Sequence, residues 1–257
     1  MIIDSHIHLT TIEHWKKSDL SNIVSNVLKQ MDSVDIDKAV ILNLTNPIYA
    51  DNVSLAEVLT KHNDRFFYFA NLDYLHYDSV DQIETLVKEH GFSGLKIHPR
   101  FQCLDPLNSY MYPIYEKAID LNIPVLICCF MQSKIIELEK IQPYAIDKLA
   151  KMYPDLKIIM AHSGWPRVWD SYHIVKSNDN VYMDLSLILT KFKQTSIIKD
   201  MAYMLETLDR KIIYGSDYPE VSFSDYLNEF HQVSSGLSQE KIDNICYKNI
   251  LKILGES

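Results

Sequence analysis

The stretch Ile2-Ile3-Asp4-Ser5-His6-Ile7-His8-Leu9 opens with apolar residues and then alternates between polar and apolar ones. This pattern is typical of a β-strand, and the strand period of two predicts that Asp4, His6 and His8 lie on one face. The two imidazoles then leave the backbone roughly 6–7 Å apart, a separation from which both can reach one divalent ion. Two ordinary histidines near a chain end are the alternative, and the pair alone does not exclude it.

The rest of the chain alternates short apolar runs with segments of helical periodicity. Strands are predicted at 38–44, 66–72, 94–99, 123–129, 156–162, 181–185 and 211–215, with helices between them. Together with the first stretch this makes eight strands alternating with helices, which indicates a parallel sheet. Such a sheet is either open and doubly wound, or closed into a (β/α)8 TIM barrel with outer helices.

Polar side chains at the strand ends favour the closed barrel. In a closed barrel the first strand neighbours the eighth, and active sites form at the C-terminal ends of the strands. The residues at or near such ends are His6, His8, His98, Cys128, His162 and Asp217. We therefore predict an α/β protein with a closed parallel barrel, in which side chains from the first and last strands share one site.

Length and composition agree with one barrel domain spanning residues 1–257. The chain has 257 residues, of which 47% are hydrophobic, and a barrel of this kind takes about 250 residues. The formal charge of -9, with acidic residues dispersed along the chain, argues against nucleic-acid or membrane partners. No leader-like segment or membrane-spanning run is found, and the four cysteines show no disulfide spacing, so a cytoplasmic protein is expected.

Two residues are candidates for catalysis. Asp217 follows the eighth predicted strand and could bind the same ion as His6 and His8 while accepting a proton from water. The alternative is a turn or helix-capping aspartate, which its local sequence also suits. His162 ends the sixth strand, where it either orients the substrate or is a hydrogen-bonded core histidine.

Four further residues are candidates for substrate binding. Lys96 and His98 share one face of the fourth strand, and Lys96 is either a cation at the site or an interior lysine paired with an acid. Arg100 could bind a carboxylate or phosphate in bidentate fashion, although a solvated loop arginine is the alternative. Trp165, with apolar residues after the seventh strand, would line a pocket for a small organic substrate.

Several motifs in this order and spacing resemble the amidohydrolase-related family of metal-dependent hydrolases, which includes aminocarboxymuconate-semialdehyde decarboxylase. The motifs are DSHIHL, GLKIHPRFQ, PIYEKAIDLNIPVLICCF, PDLKIIMAHSGWP, VYMDLS and YGSDYP. The resemblance implies a (β/α)8 barrel with one divalent ion, usually zinc. It also implies that His6 and His8 are metal ligands, Asp217 a ligand and base, and His162 the histidine that activates water or substrate.

One departure from this family lies at the end of the fifth strand. The family usually places a histidine ligand there, in the pattern PVLIHxG, whereas this chain has Cys128 at the histidine position and Phe130 at the glycine. A thiolate can replace an imidazole, because zinc binds sulfur at about 2.3 Å. Alternatively, Cys128 is a small buried side chain and the metal is weakly held or absent.

The leading hypothesis is an amidohydrolase-type hydrolase in which one Zn²⁺, held by His6, His8, Asp217 and Cys128, activates a water to attack a carbonyl. A metal-dependent decarboxylase, with Arg100 holding the acid group, is the first alternative. A nuclease or phosphoesterase barrel is disfavoured by the acidic charge, and a metal-poor binding protein on the same fold remains open. The expected partner is a small molecule, and a homo-oligomer is compatible with the sequence.

Overall fold

The computed structural model describes residues 1–9, 20–44 and 51–256. Eight strands in these ranges form one parallel sheet in chain order. They are β1 (Ile3–Ile7), β2 (Lys38–Leu42), β3 (Phe66–Ala70), β4 (Gly94–Ile97), β5 (Val125–Cys128), β6 (Ile158–Ala161), β7 (Val181–Asp184) and β8 (Ile212–Ile213). Each strand lies inside its predicted range. The apolar runs located the strands because a barrel buries both faces of its sheet.

Contacts between the first and last strands close the sheet. Ile7 forms a parallel bridge with Tyr218, and the Ser5 N–H donates to the Tyr214 carbonyl at 2.9 Å. The predicted (β/α)8 barrel is therefore confirmed. We call the end of the barrel at which the strands terminate the barrel mouth.

Helices connect successive strands and cover the barrel. In the described ranges they are α1 (Leu20–Asp32), α2 (Asn52–Leu59), α3 (Ser79–His90), α4 (Pro99–Gln102), α5 (Tyr112–Asp120), α6 (Tyr144–Met152), α7 (Val168–Ser177), α8 (Ile188–Lys191), α9 (Ile197–Thr207), α10 (Phe223–Val233), α11 (Gln239–Asp243) and α12 (Asn249–Leu254). Their ends follow local chemistry. The Asp51 side chain caps α2 by accepting from the Ser54 N–H, and Gly91, at φ 75°, ends α3.

The hydrophobic core has two layers. The interior layer fills the barrel with side chains from the strands and from α12: Ile3, Val40, Leu42, Phe69, Leu126, Ile159, Ala161, Tyr182, Ile213, Ile250 and Ile253. The larger layer lies between the strands and the helices and includes Ala39 and Ile41. Residues of β2 thus alternate between the two layers, as a strand period of two requires.

The alternation fails in β1. Ile3 pairs with Lys38, Asp4 with Ala39 and Ile7 with Ile41, so two residues of β1, Ser5 and His6, lie opposite the single residue Val40. This is a β-bulge. Since paired residues point to the same side of a sheet, Asp4 faces the helices together with Ala39, whereas His6 faces the interior. The prediction that Asp4 shares a face with His6 and His8 is wrong, because one extra residue reverses the alternation.

Two further features of the structure concern membrane-spanning helices and cysteines. Among the residues that the structure describes, no helix combines the length and the apolar composition needed to cross a membrane. The four cysteines, Cys103, Cys128, Cys129 and Cys246, are free thiols.

Candidate metal centre at the barrel mouth

His6, His8 and Asp217 meet at the barrel mouth, as the sequence predicted. The His6 Nε2 atom lies 3.5 Å from Asp217 Oδ1, and the His8 Nε2 atom lies 3.6 Å from the same oxygen. One ligand atom from each residue lies within 4.8 Å of the other two. Residues more than two hundred positions apart are therefore close enough to share an ion.

The hydrogen bonds of the two rings fix which nitrogen faces the site. His6 Nδ1 lies 2.7 Å from Asp184 Oδ2, and His8 Nδ1 lies 2.8 Å from the Leu42 carbonyl oxygen. A carbonyl and an ionised carboxylate only accept, so each Nδ1 carries the proton. Each Nε2 is then the unprotonated nitrogen and lies beside Asp217 Oδ1, the arrangement that metal-binding histidines use.

Asp184 is a buried acid that sequence reasoning missed. Besides contacting His6, it accepts the backbone N–H of His162 at 2.8 Å and that of Ser186 at 3.0 Å. The Ser186 hydroxyl also donates to it, and Ser186 Oγ lies 2.8 Å from His162 Nδ1. Asp184 therefore orients His6 directly and His162 through Ser186. Its position could have identified it, because Asp184 ends a predicted strand in the motif VYMDLS, just as Asp217 follows one.

Burial sets the charge of the three clustered residues. It lowers the pKa of His8 to about 3, and burial together with the Lys96 ammonium lowers the pKa of His6. Both imidazoles are thus neutral, as metal ligation requires. Burial opposes the charge of Asp217, but the positive charge around it, which includes the Lys96 ammonium, outweighs burial and holds the pKa of Asp217 below the ordinary value.

Lys96 reaches the same cluster from β4. It is completely buried, and its Nζ atom lies 3.3 Å from His6 Nε2. Burial lowers its pKa, while Cys128, Asp217 and Asp184 act in the opposite direction. Lys96 therefore lies against the candidate metal centre, and no ion pair joins it to Asp4 among the described residues.

Cys128 lies at the end of β5, between two histidines. The strand register pairs Ile97 with Ile127 and Cys128 with Ala161, so His98 and His162 flank the thiol on the neighbouring strands. Burial opposes ionisation of Cys128, but His98 and Arg100 outweigh it and hold the pKa of the thiol well below its ordinary range. In the described part of the chain, two groups of residues have metal-ligand spacing, and Cys128 belongs to neither: one is His6, His8 and Asp217, the other His6, His162 and Asp184.

His98 and Trp165 form parts of the mouth without touching the ion cluster. His98 caps the short helix α4, where its Nδ1 accepts the Phe101 N–H at 3.3 Å and its ring stacks on Phe101 at 4.0 Å between centroids. Trp165 stacks between Phe130, at 4.9 Å, and Phe192, at 4.3 Å. We call Phe130, Trp165 and Phe192 the aromatic wall.

Two cations border the aromatic wall. The Arg100 guanidinium lies 5.1 Å from the Phe130 ring centroid, and the Lys191 ammonium lies 5.3 Å from it. Among the described residues, no carboxylate lies within ion-pair distance of either cation, whereas Lys193 nearby pairs with Glu229 at 3.0 Å. Lys191 was missed because nothing in the sequence separates it from other surface lysines.

The donor set fits a small divalent ion. Zinc binds nitrogen and oxygen at about 2.0–2.2 Å, which places tetrahedral ligand atoms about 3.3–3.6 Å apart. The distances of 3.5 and 3.6 Å from Asp217 to the two histidines match this spacing. Two neutral imidazoles and one carboxylate leave an open position, as catalytic rather than structural metal sites do.

A closed (β/α)8 barrel with His6 of β1, the next histidine His8 and an aspartate after β8 at its mouth defines a metal-dependent enzyme barrel. Residues 3–255 match the family described as Amidohydrolase, and the chain belongs to that family. The predicted resemblance and the prediction of an enzyme are thereby confirmed. No curated protein matches the sequence.

Solved structures share the fold at low sequence identity. An uncharacterised TIM-barrel protein from Bordetella bronchiseptica is 17% identical, with a TM-score of 0.81 and coverage of 99% of this chain and 98% of that chain. A probable 2-pyrone-4,6-dicarboxylic acid hydrolase from Acinetobacter baumannii, with citric acid bound, is 15% identical (TM-score 0.72, 99% of both chains). A 5-carboxyvanillate decarboxylase from Novosphingobium aromaticivorans, complexed with manganese and 4-hydroxy-3-methoxy-5-nitrobenzoic acid, is 15% identical (TM-score 0.73, 99% and 96%).

Proposed function

We propose that this chain is a mononuclear metal-dependent hydrolase that acts on a small organic substrate. The observation that carries the proposal is the convergence of His6 Nε2 and His8 Nε2 on Asp217 Oδ1, at 3.5 and 3.6 Å, with both Nδ1 atoms engaged elsewhere. His6, His8 and Asp217 would hold the ion. We propose Zn²⁺, although the same donors also suit manganese, the metal in the 5-carboxyvanillate decarboxylase.

When bound, such an ion supplies Lewis-acid activation of water and of a substrate oxygen. Asp217 is the base in this proposal, because its carboxylate has 14% of its surface exposed at the mouth and can take a proton from water. His162 faces the same space, with Nδ1 engaged by Ser186. Burial opposes its charge, but its hydrogen bond with Cys128 outweighs burial and raises the pKa of His162, which favours the protonated ring. Its role is to donate a hydrogen bond to the oxygen that becomes negative during attack on a carbonyl.

The substrate would lie between the metal centre and the aromatic wall. His98, Arg100 and Trp165 border that space, and Lys96 lies beneath it beside His6. An apolar wall with few polar groups is typical of small-molecule sites. Cys128 stays a candidate fourth ligand only if the thiol moves toward the ion, because it lies outside the cluster of ligand spacing.

Metal analysis tests the first part of this proposal. The purified protein, loaded with zinc or manganese and desalted, is expected to retain about one ion per chain. The His8→Ala variant is expected to lose it, whereas His231→Ala, on the outer helix α10, serves as the matched control. Absence of stoichiometric metal in the wild-type chain after loading would refute the hydrolase proposal.

A decarboxylase is the second candidate. Arg100 and Lys191 lie near the Phe130 ring without carboxylate partners in the described ranges, so an acid group on the substrate would be paired there. The named activity of the Novosphingobium aromaticivorans structure agrees with this candidate. Release of CO2 from aromatic carboxylates, compared with cleavage of lactones and amides by the same metal-loaded protein, distinguishes the two reactions.

A binding protein without catalysis is the remaining alternative. Its signature would be tight retention of an organic ligand without metal and without turnover. The metal analysis and the substrate panel together separate it from both enzymes. The cytoplasmic location and the oligomeric state stay predictions from the sequence.

A further inference from the structure

The bulge in β1 lies where β1 meets the segment that follows β8. The side chain of Asp4 forms hydrogen bonds with both segments. Asp4 Oδ1 accepts the His6 N–H at 3.2 Å and the Ser216 N–H at 3.0 Å. A bulge interrupts the regular ladder of a strand, so its N–H groups need acceptors from elsewhere. One oxygen of Asp4 thus accepts a hydrogen bond from β1 and another from the segment after β8.

The burial of Asp4 makes these two bonds important. Its side chain is completely buried, and a buried carboxyl group is destabilising unless hydrogen bonds compensate. In the described part of the chain, Asp4 Oδ2 has no hydrogen-bond partner. The contacts that compensate for burying Asp4 are therefore its hydrogen bonds with the side chain and backbone of Ser216 and with the backbone of His6.

Both donors are directly connected to residues of the candidate metal centre. The first belongs to His6 itself, and the second immediately precedes Asp217 in the chain. A direct backbone bond also joins the two segments, because the Asp217 N–H donates to the His6 carbonyl at 2.9 Å. Asp4 and this bond together fix the position of one ligand-bearing segment relative to the other.

We propose that Asp4 is a positioning residue of the metal centre, which sets the spacing between His6 and Asp217 by holding both segments through one carboxyl oxygen. This inference rests on the proposed function, because the spacing matters only if both residues bind one ion. Asp4 acts through the backbone, from the helix-facing side of β1. Asp184 acts differently, because it orients the ring of His6 from within the mouth.

Three variants test the proposal. Asp4→Asn keeps a carbonyl oxygen of the same shape in place, so its zinc affinity is expected within about threefold of wild type. Asp4→Ala removes the acceptor, and its zinc affinity is expected to fall by about tenfold or more, the range seen when outer residues of a metal site are removed. Ser5→Ala is the matched control, because Ser5 is buried beside Asp4 and its hydroxyl has no partner in the described ranges; its affinity should not change.

Zinc affinity is measured by competition with a chromophoric chelator, and the free energy of unfolding is measured separately in excess chelator. A merely structural Asp4 would lower the stability of Asp4→Ala while leaving the zinc affinity of the folded protein at the wild-type value, and that result overturns the proposal. If Asp4→Ala does not fold, Asp4→Ser, whose hydroxyl is a shorter acceptor, is compared with Asp4→Asn in the same way. Failure of the wild type to bind either zinc or manganese refutes the proposed function instead, so the two failures are distinguishable.

Discussion

Replacement of Asp184 by asparagine tests the proposed tautomer of His6. Asp184 Oδ2 accepts from His6 Nδ1 at 2.7 Å, and both side chains are completely buried. Oδ1 already accepts from the His162 N–H, the Ser186 N–H and the Ser186 hydroxyl. The carbonyl of an asparagine would stay with these three donors, and its amide N–H2 would face the His6 N–H.

Two donors then oppose each other, so His6 is expected to move its proton to Nε2, the atom that faces the ion. Loss of a hydrogen bond to a charged group costs about 1.5–3 kcal/mol. If that loss appears in metal binding, it corresponds to a decrease of roughly 10–100-fold in affinity, at 1.4 kcal/mol per tenfold. This agrees with the effect of removing outer partners of metal-bound histidines.

The assay is competition for zinc between the protein and a chelator, with wild type and Asp184→Asn compared at equal folded concentration. Ser163→Ala is the matched control, because Ser163 donates to the Asp184 carbonyl oxygen at 2.7 Å without contacting His6. The control should lose about 1 kcal/mol of unfolding free energy and keep its zinc affinity. Wild-type affinity in Asp184→Asn would refute the tautomer argument.

Three further predictions follow from the mouth and the surface. Cys128→His should increase zinc affinity by about tenfold, because it restores an imidazole at the end of β5; unchanged affinity in the chelator assay would argue against that strand end as a ligand position. Lys191→Gln should weaken binding of a benzoate probe several-fold in calorimetry if this cation binds an acid group, whereas Lys193→Gln, which removes a lysine already paired with Glu229, should not. The pKa of Glu84 is lowered to about 2, first by its hydrogen bond to Lys117, so its stabilising contribution is present above its ordinary pKa of about 4.5 and is lost as pH falls toward 2. Denaturant melts of Glu84→Gln should therefore lie below wild type at pH 7 and coincide with it near pH 2; a constant difference would contradict the assignment.

The hydrophobic pattern was sufficient to locate the eight strands, because a parallel barrel buries nearly every strand residue. Apolar runs such as 38–44 and 123–129 therefore mark the strands without ambiguity. The pairing of β1 with β8 followed from the chemistry of the strand ends, since His6, His8 and Asp217 have a common use only if those strands are neighbours.

The direction of individual side chains was harder to predict. Period-two reasoning fails at a bulge, and nothing in the sequence around Ser5 marks one, so Asp4 was placed on the wrong face. Asp184 could have been predicted by the criterion that identified Asp217, namely a polar side chain at the C-terminal end of a strand. Lys191 could not, because its approach to Phe130 depends on how the short helix α8 packs.

The eighth strand has only two residues, Ile212–Ile213, which makes the junction with the first strand the joint of the barrel with the least regular pairing. An ion bound by His6, His8 and Asp217 would link the β1 side of that junction to the β8 side. A bound metal would therefore stabilise the closure of the barrel as well as take part in the chemistry. Amide protons on both edges should exchange with deuterium faster once the ion is stripped, while those at the β4–β5 junction keep their rates.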